Sequence, residues 1–102
     1  MTSKILLVED EPDIRKTLKY NFSRESFDVM TAGTISEAES LSSNNKVDLI
    51  ILDLMLPDGS GLDFCRAIKS DKKRKSIPII ILTAKADEVD RVVGFELGAD
   101  DY

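Results

Sequence analysis

The sequence predicts an α/β fold, a doubly wound parallel sheet with helices on both faces. Two observations predict it. Short apolar runs of strand length recur along the chain, and segments with helical spacing of apolar residues lie between them. The runs are 5–8, 27–30, 49–52 and 79–82, and three of them contain no polar residue, as is typical of strands buried on both faces. Regular alternation of strand and helix indicates parallel strands joined by crossover connections.

Boundary residues support this division into elements. Pro12 suits the first turn of the first helix, Thr34 and Glu37 have capping-box spacing at the second, and Gly98 follows the last periodic apolar residue of the fourth. The apolar residues at helical spacing are, in chain order, Ile14, Leu18 and Phe22; Ala38 and Leu41; Leu62, Cys65 and Ile68; Val89, Val92, Val93 and Leu97. At this length the flavodoxin-like strand order 2-1-3-4-5 is the expected topology.

Length and composition limit the function. The 102 residues, 42% of them hydrophobic, fit one domain with no room for a second. With 14 Lys and Arg, 19 Asp and Glu and no His, the net charge of -5 argues against direct nucleic-acid binding. Cys65 is the only cysteine, and no apolar run of signal or membrane-spanning length precedes Lys4, so we expect a reduced, cytoplasmic setting and no membrane contact. The charged run 71–75 is interpreted as a solvated loop.

Acidic residues follow two of the predicted strands. Glu9 and Asp10 come after the first strand and Asp53 ends the third, while Thr83 ends the fourth. Ligands of open α/β sheets bind beyond the carboxyl ends of the strands where the strand order reverses, here between the first and third. Three carboxylates held together there would repel, and their hard oxygen atoms suit Mg²⁺ or Mn²⁺. The alternative is that the acidic pair only favours the start of the following helix and that Asp53 begins a turn.

Five motifs in order resemble those of response-regulator receiver domains, the phosphoacceptor modules of bacterial two-component signalling. They are the first strand with its acidic pair (4–11), the phosphoacceptor strand and loop (48–57), a glycine-containing turn (58–62), the strand that carries a switch hydroxyl (78–85) and a C-terminal signature (98–102). The resemblance covers nearly the full chain.

The resemblance implies a role for each residue of the acidic group. Asp53 is implied as the phosphoacceptor. Asp10, Asp53 and the backbone carbonyl of Met55 are implied as direct ligands of Mg²⁺ or Mn²⁺, with Glu9 acting through water. A metal ion makes physical sense in this role, because the incoming phosphoryl group is itself anionic and the cation lowers the charge repulsion.

The resemblance also implies a switch that responds to phosphorylation. The Thr83 hydroxyl is expected to close on the phosphoryl group, with the backbone N–H of Ala84 as a second donor. Tyr102 is then expected to turn inward and change the nearby surface. The movement follows from chemistry, since an acyl phosphate carries a charge of about -1.5 to -2 and strong acceptor oxygens.

Partners follow from the same resemblance. The chain has no histidine, so the phosphoryl donor is expected to be a sensor histidine kinase, which the family usually docks around the first helix at 12–24. The chain is expected not to be a turnover enzyme. Its last segment resembles regulators of the OmpR/PhoB type, in which a winged-helix domain controls transcription. Candidate residues for dimer ion pairs, which are otherwise simple surface charges, are Arg91, Glu96, Asp100 and Asp101.

The sequence departs from the family pattern at its end. Receiver domains carry a lysine shortly after the aromatic position, and this sequence stops at Tyr102. We therefore expect residues 1–102 to be a receiver domain truncated at its C-terminus, with the last strand incomplete and the fifth helix absent. Crossover handedness predicts that the first helix covers one face of the sheet alone, so without a fifth helix apolar residues of the third and fourth strands are expected to be left exposed there. Such a chain is expected to complete this face by forming a homodimer or a swapped dimer.

Three other functions are considered. A pseudo-receiver, an interaction module that works without phosphorylation, is the main alternative. An aspartate-nucleophile phosphatase is disfavoured, because such enzymes commonly place a second Asp two residues after the nucleophile, where this chain has Met55. A flavin or nucleotide site is disfavoured because 9–11 is acidic and no glycine-rich phosphate loop follows Val8.

Overall fold

The structure, a computed structural model, describes residues 3–82. Strands and helices alternate along it, apart from two very short strands before the third helix. The elements are β1 (Lys4–Val8), α1 (Pro12–Arg24), β2 (Asp28–Ala32), α2 (Ile35–Asn44), β3 (Leu49–Asp53), β4 (Met55–Leu56), β5 (Gly59–Ser60), α3 (Gly61–Ser70) and β6 (Ile79–Leu82). The predicted fourth helix and fifth strand lie outside the described residues.

The main sheet has the predicted topology. Its order is β2-β1-β3-β6, and every neighbouring pair is parallel. Because β6 is the fourth predicted strand, the expected order 2-1-3-4 is confirmed over the described part of the chain. β4 and β5 form a small antiparallel hairpin of their own, which the sequence analysis did not predict.

Two apolar cores cover the two faces of the sheet. On one face, β1 and β3 pack against α2 and α3 through residues such as Leu6, Leu52, Ala38 and Phe64. On the other face, Ile5, Leu7, Val29 and Ile51 form a smaller core against α1. This is the predicted arrangement, in which the first helix covers one face alone. It follows from the strand sequences, since alternate residues of an uninterrupted apolar run point to opposite faces.

The face covered by α1 is the less completely buried of the two. Ile51 at its centre is 3% exposed, whereas Leu49 and Ile80 are half-buried and Ile14 of α1 is 48% exposed. The expectation that apolar residues of the third and fourth strands are left exposed is therefore wrong for Ile51. Dimer formation stays a prediction.

The second strand begins later than predicted. The apolar run suggested 27–30, but β2 spans Asp28–Ala32 and Phe27 lies before it. Phe27 instead packs edge-to-face against Phe22 of α1, with ring centroids 6.4 Å apart. Phe27 belongs to the connection between α1 and β2. The predicted strand therefore began one residue too early and ended two residues too early.

The predicted helix starts are confirmed. Pro12 occupies the first turn of α1, where its missing N–H removes no hydrogen bond. Thr34 is the N-cap of α2, and its hydroxyl accepts a hydrogen bond of 3.1 Å from the N–H of Glu37. Ser60 caps α3 in the same way by accepting from the N–H of Leu62. None of the helices among residues 3–82 is both long and apolar enough to span a membrane.

The charged run 71–75 was predicted to be a solvated loop, and this prediction is only partly right. The side chain of Arg74 is only 11% exposed, and it donates hydrogen bonds to the carboxylates of Asp71 and Glu39 and to the hydroxyl of Ser42. Burial lowers the pKa of Arg74, but the two carboxylates outweigh it, so the pKa is raised overall. Arg74 therefore ties α2 to the connection between α3 and β6.

Candidate acidic site at the carboxyl edge of the sheet

The carboxyl ends of β1 and β3 bring three acidic side chains together. Val8 pairs with Leu52 in the parallel ladder, so the residues that follow, Glu9 and Asp53, are neighbours across the two strands. Glu9, Asp10 and Asp53 each offer a carboxylate oxygen, and these oxygens all lie within 4.8 Å of one another. The predicted meeting of the three residues is confirmed. We call them the acidic triad.

Glu9 is the most enclosed member of the triad. It is 8% exposed, its backbone N–H donates to the carbonyl of Ala32 at 2.9 Å, and its Oε1 accepts from the N–H of Glu11 at 3.0 Å. Burial raises the pKa of Glu9, the hydrogen bond from Glu11 opposes this, and the charges of Asp53 and Asp10 raise the pKa further. A buried carboxylate beside two others is costly without a compensating positive charge.

Asp53 and Asp10 are more accessible. Asp53, the last residue of β3, is half-buried, and Asp10 is exposed at the start of the loop into α1. The triad is thus closed on the Glu9 side and open on the Asp10 side. An exposed edge of this kind leaves room for water and for an incoming group beside the Asp53 carboxylate.

The chain turns sharply after Asp53 and returns against it. The N–H of Gly61 donates to the carbonyl of Leu54 at 2.8 Å, so the first residue of α3 lies directly on the end of β3. A Cβ atom at Gly61 would clash with the carbonyl oxygen of Asp53 and would lie 2.9 Å from the Cα of Leu54. Only a residue without a side chain permits this approach of two backbones.

The hairpin between Asp53 and α3 is anchored to the second helix. The carboxylate of Asp58 accepts hydrogen bonds from the N–H groups of Ile35 and Ser36, at 2.7 and 3.0 Å. These bonds from the first turn of α2 lower the pKa of Asp58. The loop that carries Met55 is therefore held between β3 and the start of α2.

The donor set of the triad fits a small divalent cation. All three side chains supply carboxylate oxygens, the hard ligands that Mg²⁺ and Mn²⁺ prefer, and one of them is accessible to water. The raised pKa of Glu9 points the same way, because a cation would relieve the crowding of negative charge that helps to raise it. The backbone of Met55 lies two residues past Asp53 in β4.

Comparison with known families decides the assignment. Residues 5–102 match the family described as the response regulator receiver domain. The chain belongs to this family. Receiver domains are signalling domains that bind Mg²⁺ at an acidic pocket and interact with histidine kinases, and the triad is the acidic group of this chain among the described residues.

Individual relatives of this receiver domain agree with that assignment. The alkaline phosphatase synthesis transcriptional regulatory protein PhoP of Bacillus subtilis (strain 168) is 46% identical over 102 residues, which are all of this chain and 42% of that protein. The chain therefore spans less than half of that relative's length.

Solved receiver structures share the fold. The non-phosphorylated HemR receiver domain of Leptospira biflexa has a TM-score of 0.90 at 44% identity, covering 98% of this chain and 79% of that one. The BeF3-activated N-terminal receiver domain of Klebsiella pneumoniae RstA has a TM-score of 0.91 at 30% identity, covering 98% and 83%.

Several predicted residues of the receiver domain lie outside the described part of the chain. The switch residues are Thr83, Ala84 and Tyr102, and the dimer candidates are Arg91, Glu96, Asp100 and Asp101. Their roles stay predictions, as does that of the Met55 carbonyl.

Sequence reasoning missed two residues that support the receiver site. Asp58 was read only as part of a turn, and Arg15 was not singled out. Arg15 extends from α1, and its Nη1 donates to the backbone carbonyl of Glu9 at 3.0 Å. The available signal was an arginine in the second turn of the helix that follows the acidic pair. This signal becomes specific only when the packing of α1 on the sheet is known.

Proposed function

We propose that Asp53 accepts a phosphoryl group from the phosphohistidine of a sensor histidine kinase, in a reaction that depends on Mg²⁺ or Mn²⁺. The observation that carries the proposal is the convergence of Glu9, Asp10 and Asp53 within 4.8 Å at the carboxyl edge of the sheet, in a chain of the receiver family. Asp53 is the acceptor because it ends the central strand β3 and is accessible.

The transfer is a single displacement at phosphorus. A carboxylate oxygen of Asp53 forms the new P–O bond, the P–N bond to the donor histidine breaks, and its electron pair stays on the imidazole. When it is bound, Mg²⁺ neutralises the charge that builds up on the phosphoryl oxygens. Asp10, Asp53 and the Met55 backbone carbonyl are the groups proposed to hold it directly, with Glu9 acting through water.

The enclosure of Glu9 contributes to this chemistry. Its carboxylate is fixed by the N–H of Glu11, and its backbone by the end of β2, so it has little freedom to move away from Asp53. When the cation binds, aligning a carboxylate that is already held in place costs less free energy than aligning a mobile one. Asp10, which is exposed, remains able to exchange between water and the ion.

Phosphorylation is proposed to switch the surface of the domain. The acyl phosphate on Asp53 carries a charge of about -1.5 to -2 and attracts hydrogen-bond donors. Thr83 and the N–H of Ala84 are proposed as those donors, and Tyr102 as the aromatic residue that follows. The proposed result is control of transcription through a DNA-binding output domain. We place this domain in the cytoplasm, as a homodimer or a swapped dimer, and we propose that it is not a turnover enzyme.

The experiment compares the parent chain with Asp53→Asn. Each is incubated with a small-molecule phosphodonor such as acetyl phosphate, with Mg²⁺ or with a chelator, and intact mass is measured. We expect the parent to gain one phosphoryl group in the presence of Mg²⁺ only, and Asp53→Asn to gain none. A version that extends beyond Tyr102 is tested in parallel.

Asp63→Asn is the matched control. It removes an acidic side chain that is 71% exposed on α3 and does not belong to the triad, and we expect full phosphorylation. Phosphorylation of Asp53→Asn at the parent level would overturn the assignment of the acceptor. Absence of phosphorylation in both the parent and the extended version would overturn the proposed function in favour of a pseudo-receiver.

A further inference from the structure

Arg15 connects the first helix to the strand end that carries the acidic triad. Its Nη1 donates a hydrogen bond of 3.0 Å to the backbone carbonyl of Glu9, six residues earlier in the chain. The Arg15 side chain is half-buried, unlike its neighbours Ile14 and Lys16, which are exposed. The guanidinium is therefore packed into the structure and not merely extended into water.

The carbonyl that Arg15 contacts has a particular position. It belongs to the peptide bond between Glu9 and Asp10, so its orientation also sets the direction in which Asp10 leaves the strand. The N–H of Glu9 is held by Ala32, and the Glu9 carboxylate by the N–H of Glu11. Arg15 supplies the remaining restraint on the Glu9 backbone, at the side nearest Asp10.

Gly33 leaves the space that the guanidinium occupies. A Cβ atom at Gly33 would lie 2.7 Å from Arg15 Nη1, whereas the next nearest contacts, to Arg15 Cζ and Glu37 Oε1, are at 3.8 Å. Gly33 does not have the left-handed backbone conformation that favours glycine. The group that a side chain at position 33 would have to displace is therefore the tip of Arg15.

We propose that Arg15 is a positioning residue for divalent-cation binding by the acidic triad, and that Gly33 leaves the space that the Arg15 guanidinium needs. By holding the peptide between Glu9 and Asp10, Arg15 keeps the Asp10 carboxylate close to that of Asp53. The inference rests on the proposed function, since it concerns how the same site is organised before phosphorylation.

Two physical effects of Arg15 have opposite signs, which makes the proposal testable. Its positive charge near the triad disfavours a cation, so an electrostatic role alone means that removing Arg15 tightens metal binding. Its hydrogen bond restrains the loop, so a positioning role means that removal weakens binding. The guanidinium is partly exposed and screened by water, and we expect the restraint to dominate.

The test measures the dissociation constant for Mn²⁺, from the free-ion signal in electron paramagnetic resonance. The variants are Arg15→Ala, Gly33→Ala and the double variant. We expect each single variant to weaken binding about tenfold, the scale for loss of a group that orients a metal ligand. The double variant should bind no more weakly than either single variant, because both substitutions remove the same contact.

Gly33→Ala separates positioning from charge and from folding. It keeps the arginine and displaces only the end of a flexible side chain, so its melting temperature in chelator should stay close to that of the parent. Lys16→Ala is the charge control, because Lys16 lines the same cleft beside α1 as Arg15 but is exposed. Its loss should leave Mn²⁺ affinity unchanged or slightly tighter.

Each other outcome overturns the inference. Unchanged or tighter binding by Arg15→Ala shows that Arg15 does not position the triad. Losses that multiply in the double variant show that Arg15 and Gly33 act separately. If the parent binds Mn²⁺ while all variants match it, this inference fails and the proposed function stands, whereas a parent that binds no Mn²⁺ overturns both.

Discussion

The carboxylates of Glu9 and Asp53 lie side by side at the ends of two paired strands, and Glu9 is almost fully buried there. Burial and the negative charges of Asp53 and Asp10 raise the pKa of Glu9. In the absence of a cation, ionised Glu9 therefore reduces the stability of the fold. A cation bound among the three carboxylates would offset the unfavourable charge of ionised Glu9.

Glu9→Gln should raise the free energy of unfolding of the metal-free chain near neutral pH. The folded pKa of Glu9 is raised above its ordinary value of 4.5, so the folded state holds this proton more tightly than the unfolded state does. The stability associated with protonated Glu9 is present below pH 4.5 and is lost as pH rises through the folded pKa. Urea unfolding in chelator, compared between variant and parent across this range, measures the effect.

The advantage of Glu9→Gln should grow with rising pH across that window and then level off. Glu25→Gln is the control, because Glu25 is exposed at the opposite end of α1. A constant difference between Glu9→Gln and the parent, or a lower stability of the variant at neutral pH, would contradict the prediction. In saturating Mg²⁺ the parent should become more stable than Glu9→Gln, because only the parent keeps all the groups that hold the ion.

Asp58→Ala should loosen the start of α2. Asp58 accepts two N–H groups of that first turn, and its folded pKa is lowered below 3.8. Its stabilisation is therefore present above pH 3.8 and is lost as pH falls through the folded pKa. Hydrogen exchange at Ile35 and Ser36 should accelerate in the variant at neutral pH.

The destabilisation by Asp58→Ala should shrink in acid, and Asp63→Ala should show neither effect. Asp63 occupies the first turn of α3 and makes a single exposed ion pair of 3.6 Å with Arg66. Equal protection of Ile35 and Ser36 in the parent and the variant would show that the Asp58 bonds are not formed in solution.

Gly61→Ala should destabilise the fold by about 1–3 kcal/mol, the range for added atoms in a closely packed region. Ordinarily alanine stabilises a helix relative to glycine, but here the new Cβ atom meets the Asp53 carbonyl and the Leu54 backbone. Ala67→Gly, at an exposed position of the same helix, should show the ordinary preference for alanine. Urea unfolding measures both variants, and stabilisation by Gly61→Ala would contradict the close approach.

Arg74→Ala should lower the free energy of unfolding by about 1–2 kcal/mol, because it removes several hydrogen bonds to charged and neutral partners. The lost partners are Glu39, Asp71 and the buried Ser42. Lys73→Ala, the neighbouring exposed cation, should change stability little. An equal effect of the two variants in urea unfolding would mean that Arg74 is only a surface charge.

Much of the fold and of the triad could be predicted because the signals are local. The runs 5–8, 49–52 and 79–82 correspond closely to β1, β3 and β6, and their lack of polar residues reflects burial on both faces. The second strand was misplaced because Phe27 was counted as a strand residue, whereas its ring packs against Phe22 of α1. A run of apolar letters does not say which partner each residue packs against.

The sequence by itself determined the alternation of strands and helices, the helix caps, and the presence of acidic residues at strand ends, because these depend on residues within one element or one turn. Only the tertiary structure decided that Arg15 holds Glu9, that Asp58 holds α2 and that Arg74 holds Glu39, pairs separated by 6, 23 and 35 residues. Such pairs form because packing of the sheet and helices brings polar groups of separate elements within hydrogen-bonding distance, and the spacing of residues along the sequence does not reveal that packing.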